Sequence, residues 1–282
     1  MSDDDHPVAI VTGAASGIGL ALTEFLLSKG WCVAMADLSA AGEAIATSLS
    51  PNATFHRVNV ASWEDQEALF KATWERYGRL DFHAANAGID DKDSLYRETS
   101  EEREGGPQKP NLVTLNVDLI GPIYGLKLAA YYMRRNKSKG GCVVMTSSMM
   151  GLYPFPLNPQ YCAAKHGIVG LVRSVGPIFA KEDIRVNCIC PALVPTALGP
   201  KELLESIPKE HITPMETVMR AFETFIKEPE RSGQVCECSL DQCFYRKHVE
   251  YPNESQRWMH EGPNSFWSSI PPADDSHSVS IK

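Results

Sequence analysis

Tyr161 and Lys165 stand four residues apart in the stretch YCAAKHG. At helical spacing this puts a phenol and an ammonium one turn apart on one face. Two readings of the pair compete. In one, Tyr161 is a half-buried aromatic and Lys165 a solvated charge. In the other, the ammonium lowers the pKa of the phenol, which then serves as an acid or base. Moving a phenol from pKa ~10 to near 7 takes roughly 4 kcal/mol of preference for the phenolate. An ammonium ~4 Å away supplies about 1 kcal/mol in bulk water and about 4 kcal/mol at an effective dielectric near 20. The second reading therefore needs a partly desolvated cleft. A single Tyr-x-x-x-Lys pair does not choose between them.

The stretch TGAASGIG, residues 12–19, carries a second chemistry. Gly13, Gly17 and Gly19 permit a tight turn and let a pyrophosphate approach the N-terminus of the helix that follows, where unpaired N–H groups and the dipole favour an anion. The spacing is G-x-x-x-G-x-G rather than G-x-G-x-x-G. Asp37 falls 18 residues after Gly19. A carboxylate there accepts hydrogen bonds from a ribose diol and repels a 2′-phosphate. No Lys or Arg adjoins it in the sequence or in the loop, where Leu38, Ala15 and Ser16 are its neighbours, so NAD is favoured over NADP. An exposed aspartate capping the next helix remains open beside that reading. Asn59 and Val60 close the third strand, where an adenine ring would lie.

The elements that must position these groups alternate. Strands are expected at residues 7–12, 31–37, 54–59, within RLDFHAANAG, in GCVVMTSS, in IRVNCIC and in GQVCECSL. Helices are expected at 17–29, 39–49, 63–78, 111–136, 159–180 and over PMETVMRAFETFIKE. DDKDSLYRETSEEREGGPQKP reads as a solvated excursion, 191–211 as an irregular loop, and the polar residues from about 245 as a poorly ordered or partner-covering tail. Strands alternating with crossover helices imply an α/β fold: a Rossmann-type doubly wound parallel sheet of about seven strands with helices on both faces. The expected layout is one dinucleotide-binding catalytic domain over 1–244, including loop 191–212 and helix 213–227, and a tail over 245–282. Ligands of such sheets bind beyond the carboxyl ends of the strands, where all these motifs fall.

The chain has 282 residues, a net charge of −8 and no basic stripe, which argues against a nucleic-acid partner. The start, MSDDDHPVAI, lacks the basic and apolar regions of a signal peptide, and the longest apolar runs are strand-length, so no membrane span is expected. Among eight cysteines, Cys188 and Cys190, and Cys236 and Cys238, are two apart on strand-like stretches. They read as small buried hydrophobes in a reducing, cytoplasmic setting rather than as metal ligands.

As an ordered set, TGAASGIG, Asp37, the triplet Asn86–Ala87–Gly88, Ser148, Tyr161 and Lys165 resemble the short-chain dehydrogenase/reductase family over about residues 7–240. YCAAKHGIVGLVRS, the helix over 214–228 and GQVCECSL look most like its hydroxyprostaglandin-dehydrogenase-like branch and the fungal relatives of that branch. The resemblance implies that Tyr161 is proton donor or acceptor to the substrate oxygen, that Lys165 holds the nicotinamide ribose and lowers the tyrosine pKa, and that Ser148, 13 residues before Tyr161, orients the substrate oxygen. An oxidised nicotinamide ring would add a second positive charge beside the phenol. It further implies cofactor contacts from Gly13, Ser16, Gly17, Ile18 and Gly19, from Asp37, Asn59 and Val60, and from Asn86, Ala87 and Gly88. Val194 and Thr196 match the segment that meets the nicotinamide amide. Asn158 matches a substrate-contacting position, or is a turn asparagine before Pro159.

Two positions depart from the family pattern. Ala192 stands where Pro-Gly is usual. In NVDLIG, Asp118 stands where the family has a catalytic asparagine that holds a water linking the lysine to solvent; an ionised aspartate accepts but does not donate. The expected activity is NAD(H)-dependent interconversion of a secondary alcohol and a ketone on a mid-sized apolar metabolite. Leu152, Tyr153, Phe155, Leu193 and Leu198 would line its site. The alternatives are a non-redox isomerase or cyclase that binds the same cofactor, motivated by Asp118 and Ala192, and a nucleotide-sensing or scaffold protein. The family also implies a homodimer or homotetramer formed through the helices at 111–136 and 159–180.

Overall fold

The computed structural model describes residues 6–196, 198–199 and 206–261. Residues 1–5, part of the expected substrate loop (197 and 200–205) and 262–282 of the expected tail lie outside them. The chain divides into two compact units, one ending at Arg246 and one beginning at Lys247.

In the first unit β1 (Val8–Thr12) leads into α1 (Gly17–Ser28), β2 (Cys32–Asp37), α2 (Ala41–Leu49), β3 (Ala53–Arg57), α3 (Trp63–Tyr77) and β4 (Phe82–Ala85). A short α4 (Ser100–Gly105), α5 (Val113–Leu115) and α6 (Gly121–Met133) precede β5 (Gly141–Thr146). Then come α7 (Pro159–Phe179), β6 (Ile184–Pro191), α8 (Met215–Lys227), β7 (Val235–Ser239) and β8 (Gln242–Tyr245). The strand order is β3-β2-β1-β4-β5-β6-β7-β8, parallel except for the antiparallel β7–β8 pair. β1 is buried along its whole length, as an inner parallel strand covered on both faces must be. One face packs against α3, α6 and α7 and the other against α1, α2 and α8. The order reverses between β1 and β4, the crevice where such sheets bind ligands.

The expected doubly wound sheet is present, with eight strands among the described residues where about seven were expected, and two further expectations are corrected. The missed β8 follows a two-residue turn, Leu240–Asp241, in which Leu240 adopts φ 51° without the glycine or asparagine that marks such turns. The expected helix over 111–136 is interrupted by a π turn, Asn116–Ile120, closed by the Gly121 N–H on the Asn116 carbonyl. The polar excursion holds α4, whose Thr99 and Glu102 form a capping box, and its first two residues are structural, as described below.

The second unit begins within the expected tail and contains α9 (Glu254–His260), capped by the Asn253 side chain accepting the Gln256 N–H at 2.9 Å. Among the described residues no helix is long and apolar enough to cross a membrane.

Candidate active site

The glycine loop joins β1 to α1 beside the reversal of strand order. Gly13 and Gly17 have φ of 65° and 53°, the left-handed region that glycine enters freely. A Cβ on Gly19 would stand 2.1 Å from the Gly13 carbonyl oxygen, so this third glycine lets helix and loop touch. Ser16 precedes the first turn of α1, which contains no acidic residue, and Ile18 packs into the core beneath. The helix N-terminus thus offers N–H groups with no carboxylate competing for them. Thr196 closes over the loop, 3.2 Å from where a Gly17 Cβ would be, and Val194 is buried.

Asp37 ends β2. Its Oδ2 accepts the Ala15 N–H at 3.0 Å and its Oδ1 the Ser39 N–H at 2.9 Å, which leaves acceptor capacity on both oxygens. The β2–β3 register places Arg57 opposite Asp37, and its Nε donates to the Leu38 carbonyl at 3.1 Å. Parallel pairing thus supplies the cation that the adjacent sequence lacks. Val60 is buried, and Asn59 is exposed with its backbone N–H on Asp65.

Beyond β4, Thr12 ties the triplet to the glycine loop. Its hydroxyl oxygen accepts the N–H groups of Asn86 at 3.0 Å and Ala87 at 3.1 Å. The Asn86 amide donates to the Thr12 carbonyl and accepts from the Thr146 hydroxyl, which spans β1, β4 and β5. Gly88 is required by contact, because a Cβ would lie 2.8 Å from Asp118 Oδ2 and 3.3 Å from Lys165 Nζ.

Tyr161, Lys165, Ser148 and Asp118 converge. Lys165 is 2% exposed. Its Nζ donates to the Thr146 carbonyl at 2.9 Å and stands 3.0 Å from Asp118 Oδ2. Asp118 is fully buried on the π turn, and its Oδ1 accepts the Ile89 N–H at 2.9 Å. The contact with Lys165 is an ion pair by distance but leaves Oδ2 without a well-directed hydrogen bond, a buried acceptor with capacity to spare. Lys165 Nζ lies 5.2 Å from the centre of the Tyr161 ring, and the Ser148 side chain is near enough to the phenol to lower its pKa.

Lys165 acts on the phenol in the expected direction, but burial and Asp118 oppose it. Burial pushes the Tyr161 phenol above its ordinary pKa; Lys165 pulls it down, but Asp118 pushes it up again. Burial pulls the Lys165 ammonium down, yet Asp118 and then Tyr161 outweigh it and hold the group above its usual value. Burial raises the Asp118 carboxyl against the pull of Lys165. The arrangement is an ion pair with a firmly charged lysine beside a phenol that keeps its proton.

Two groups that the sequence reading passed over aim the phenol. Asp91 caps α7, its Oδ2 accepting the Gln160 N–H at 3.0 Å and its Oδ1 the Tyr161 N–H at 2.7 Å. Asp90 accepts from the Asn158 amide, so in this structure Asn158 is engaged by Asp90. The three-residue turn at Met149–Gly151 packs tightly on α7, since a Gly151 Cβ would fall 2.6 Å from the Lys165 carbonyl oxygen.

Of the residues expected to line the substrate site, Leu152 packs into the core while Tyr153, Leu193, Leu198 and Phe155 are exposed or half-buried. Glu237 on β7 was not singled out from the sequence. It is 5% exposed, and its Oε2 accepts from the Tyr153 hydroxyl at 3.2 Å and from Arg246. Ala192 donates its N–H to the Cys238 carbonyl at 2.8 Å, tying the loop after β6 to β7.

Residues 7–205 match the family model described as short chain dehydrogenase. A short-chain dehydrogenase/reductase of Penicillium rubens, prx6, is 36% identical over 252 residues, 84% of this chain and 85% of that protein. The human 15-hydroxyprostaglandin dehydrogenase [NAD(+)] is 36% identical over 212 residues, 72% of each chain. The fold is similar to that of a 3-ketoacyl-(acyl-carrier-protein) reductase from Brucella melitensis complexed with NADH, with a TM-score of 0.72 at 21% identity, covering 83% of this chain and 96% of that one.

Proposed function

The chain belongs to the short-chain dehydrogenase/reductase family, and from that premise we propose that it is an NAD(H)-dependent oxidoreductase interconverting a secondary alcohol and a ketone on a mid-sized apolar metabolite. The observation that carries this is the convergence of Tyr161, Ser148 and Lys165 beside a glycine loop built to approach an anion.

The residues present fit a dinucleotide. The three glycines and the start of α1 would hold its pyrophosphate, Asp37 its adenosine ribose, and Lys165 the nicotinamide ribose, with Asn86–Gly88, Val194 and Thr196 alongside. Asp37 supports NAD over NADP, as does the NAD(+) in the name of the human relative. Bound NAD(H) supplies the hydride that is gained or lost. Tyr161 gives its proton to the substrate oxygen or takes it back, and Ser148 orients that oxygen. Lys165, fixed by Asp118 and the Thr146 carbonyl, keeps positive charge near the phenol. A phenol that keeps its proton at neutral pH can donate it to a carbonyl oxygen.

The apolar side chains of Phe155, Leu193 and Leu198 support an apolar substrate, as does a relative named for a prostaglandin. Asn158, at its place before α7, would reach the substrate by leaving Asp90. Pairing through α6 and α7 into a dimer or tetramer belongs to the same reading. NADH consumption with a panel of apolar ketones tests it. The wild type should turn over at least one, and Tyr161→Phe should lose roughly 10²–10⁴-fold in rate, the usual span for a positioned proton donor. Equal rates for the two proteins would refute the assignment.

A further inference from the structure

Three of the eight cysteines meet at the end of the sheet, far from the Tyr161 chemistry in role and on the opposite face of β7 from Glu237. The sulfur atoms of Cys236, Cys238 and Cys243 all lie within 4.8 Å of one another. Cys236 and Cys238 are fully buried, and Cys243 is partly open to solvent. The sequence suggested only a buried pair; Cys243 joins it because β8 turns back on β7.

The register pairs Cys238 directly with Cys243. The backbone of Cys238 faces the other way, its carbonyl accepting the Ala192 N–H from the β6 side. Three positions along, at the far end of the ladder, Arg246 donates its N–H to Val235 at 2.8 Å. Hydrogen-bonded pairs alternate with open ones in an antiparallel ladder, so Val235–Arg246 is bonded and Cys238–Cys243 is open. Open pairs have Cα atoms about 4.5 Å apart, within the roughly 4.4–6.8 Å range that a disulfide spans. Closure then needs side-chain rotation and no movement of the strands.

We propose that Cys243 and Cys238 form a modification site, a thiol pair that hydroperoxides oxidise to a cross-strand disulfide. The Cys243 sulfur attacks one peroxide oxygen; the O–O bond breaks, and the departing oxygen leaves as water or an alcohol after taking a proton. The Cys238 sulfur then attacks the Cys243 sulfur, the S–O bond breaks, and a second water leaves with the Cys238 proton. The two thiols lose two electrons and the peroxide gains them. The environment suits these roles. The neighbouring Cys238 thiol lowers the Cys243 pKa against the opposing effect of burial, with Arg220 adding to the lowering, while Cys238 is shifted upward, so Cys243 is the more readily ionised of the two. Arg220 also donates to the Asp241 carbonyl, which keeps its guanidinium at the turn.

The hairpin is anchored to the segment after the expected substrate loop. Leu240 donates its N–H to the Thr213 hydroxyl oxygen at 3.0 Å, and its carbonyl accepts from the Thr217 hydroxyl at 2.7 Å. Oxidation would therefore stiffen the strand pair that supports both ends of that loop.

The test uses the reduced full chain, hydrogen peroxide and peptide mapping without reductant. Cleavage before Asp241 separates Cys238 from Cys243, so their peptides stay joined only through a disulfide. The expected result is loss of two of the eight thiols and a joined peptide pair. Cys243→Ser should abolish it, Cys236→Ala should retain it, and Cys238→Ala should leave a sulfenic acid on Cys243 that a cyclic 1,3-dione traps. Joined peptides that persist in Cys238→Ala would overturn the pairing in favour of Cys236. Unlinked peptides from peroxide-treated wild type would overturn the proposal outright, as would three thiols that resist peroxide until a chelator removes a soft metal ion. Should Cys238→Ala fail to fold, Cys236→Ala still decides the matter: joined peptides in that variant assign the bond to Cys238, and their loss overturns the pairing.

Discussion

The carboxylate of Asp118 stands 3.0 Å from the ammonium of Lys165, and neither side chain reaches solvent to any extent. The pair links the π turn to α7 and puts a negative charge near the phenol that an asparagine would not. Asp118→Asn keeps an acceptor for the Ile89 N–H but removes that charge. The Tyr161 pKa should fall, because a charge disfavouring the phenolate is gone. The ascending limb of alcohol oxidation, where the phenol must lose its proton, should therefore move to lower pH, as a pH–rate profile would record. Loss of one partner from a buried pair costs on the order of 3 kcal/mol, so thermal unfolding should also occur earlier. A profile that superimposes on the wild type would remove Asp118 from the acid–base chemistry.

Asp37 and Arg57 face each other across the β2–β3 pair, one at the expected ribose site and the other beside it. Repulsion between Asp37 and a doubly charged 2′-phosphate ~4 Å away is about 2 kcal/mol in water. Asp37→Ser should raise the ratio of NADPH to NADH efficiency by roughly 30-fold on that figure. Adding Arg57→Ala should take back part of the gain. Steady-state kinetics with both cofactors measure it.

Asp91 holds the first N–H groups of α7, including that of Tyr161 itself. Asp91→Ala should cost about 1 kcal/mol, as lost helix caps do, and lower the melting temperature by roughly 2–4 °C. Because the same contact aims Tyr161, kcat should fall more than KM changes. Asp91→Asn, whose single amide oxygen can accept only one of the two N–H groups, should restore part of both.

His83 on β4 lies wholly in the core and titrates against the fold. Burial lowers its pKa from 6.5 to about 4, with the Ile10 carbonyl opposing. Between those values the unfolded chain binds a proton that the native chain refuses. The stability is thus present above about pH 6.5 and is lost as pH falls toward 4, on the order of 3 kcal/mol in all. Urea unfolding at stepped pH should show that slope, and His83→Gln should flatten it.

Much of the fold was legible because its signals are local. The inner strands are apolar runs, α1 follows a glycine turn, and α3 ends at Gly78 in the left-handed conformation. The errors arose where geometry is set by partners distant in sequence. Leu240 takes a turn conformation that its type disfavours because Thr213 and Thr217 hold its backbone. The π turn leaves the apolar pattern of the surrounding helix intact, so nothing in periodicity reveals it, although it carries Asp118. Asp90 and Asp91 open a stretch whose composition says solvent, yet they clasp the helix bearing Tyr161. Arg57 and Asp37 are 20 residues apart and meet only through strand pairing. The residue types at the candidate site were readable; the charges that tune them were not.

Deuterium transfer tests the central claim most directly. NADH labelled at its transferable nicotinamide position would be incubated with a metabolite extract and either the wild type or Tyr161→Phe. The account predicts deuterium in the carbinol carbon of one apolar product, formed by the wild type and nearly absent with the variant. An unlabelled isomer formed by the wild type alone would contradict hydride transfer and leave Tyr161 as an acid–base group in a reaction without redox change.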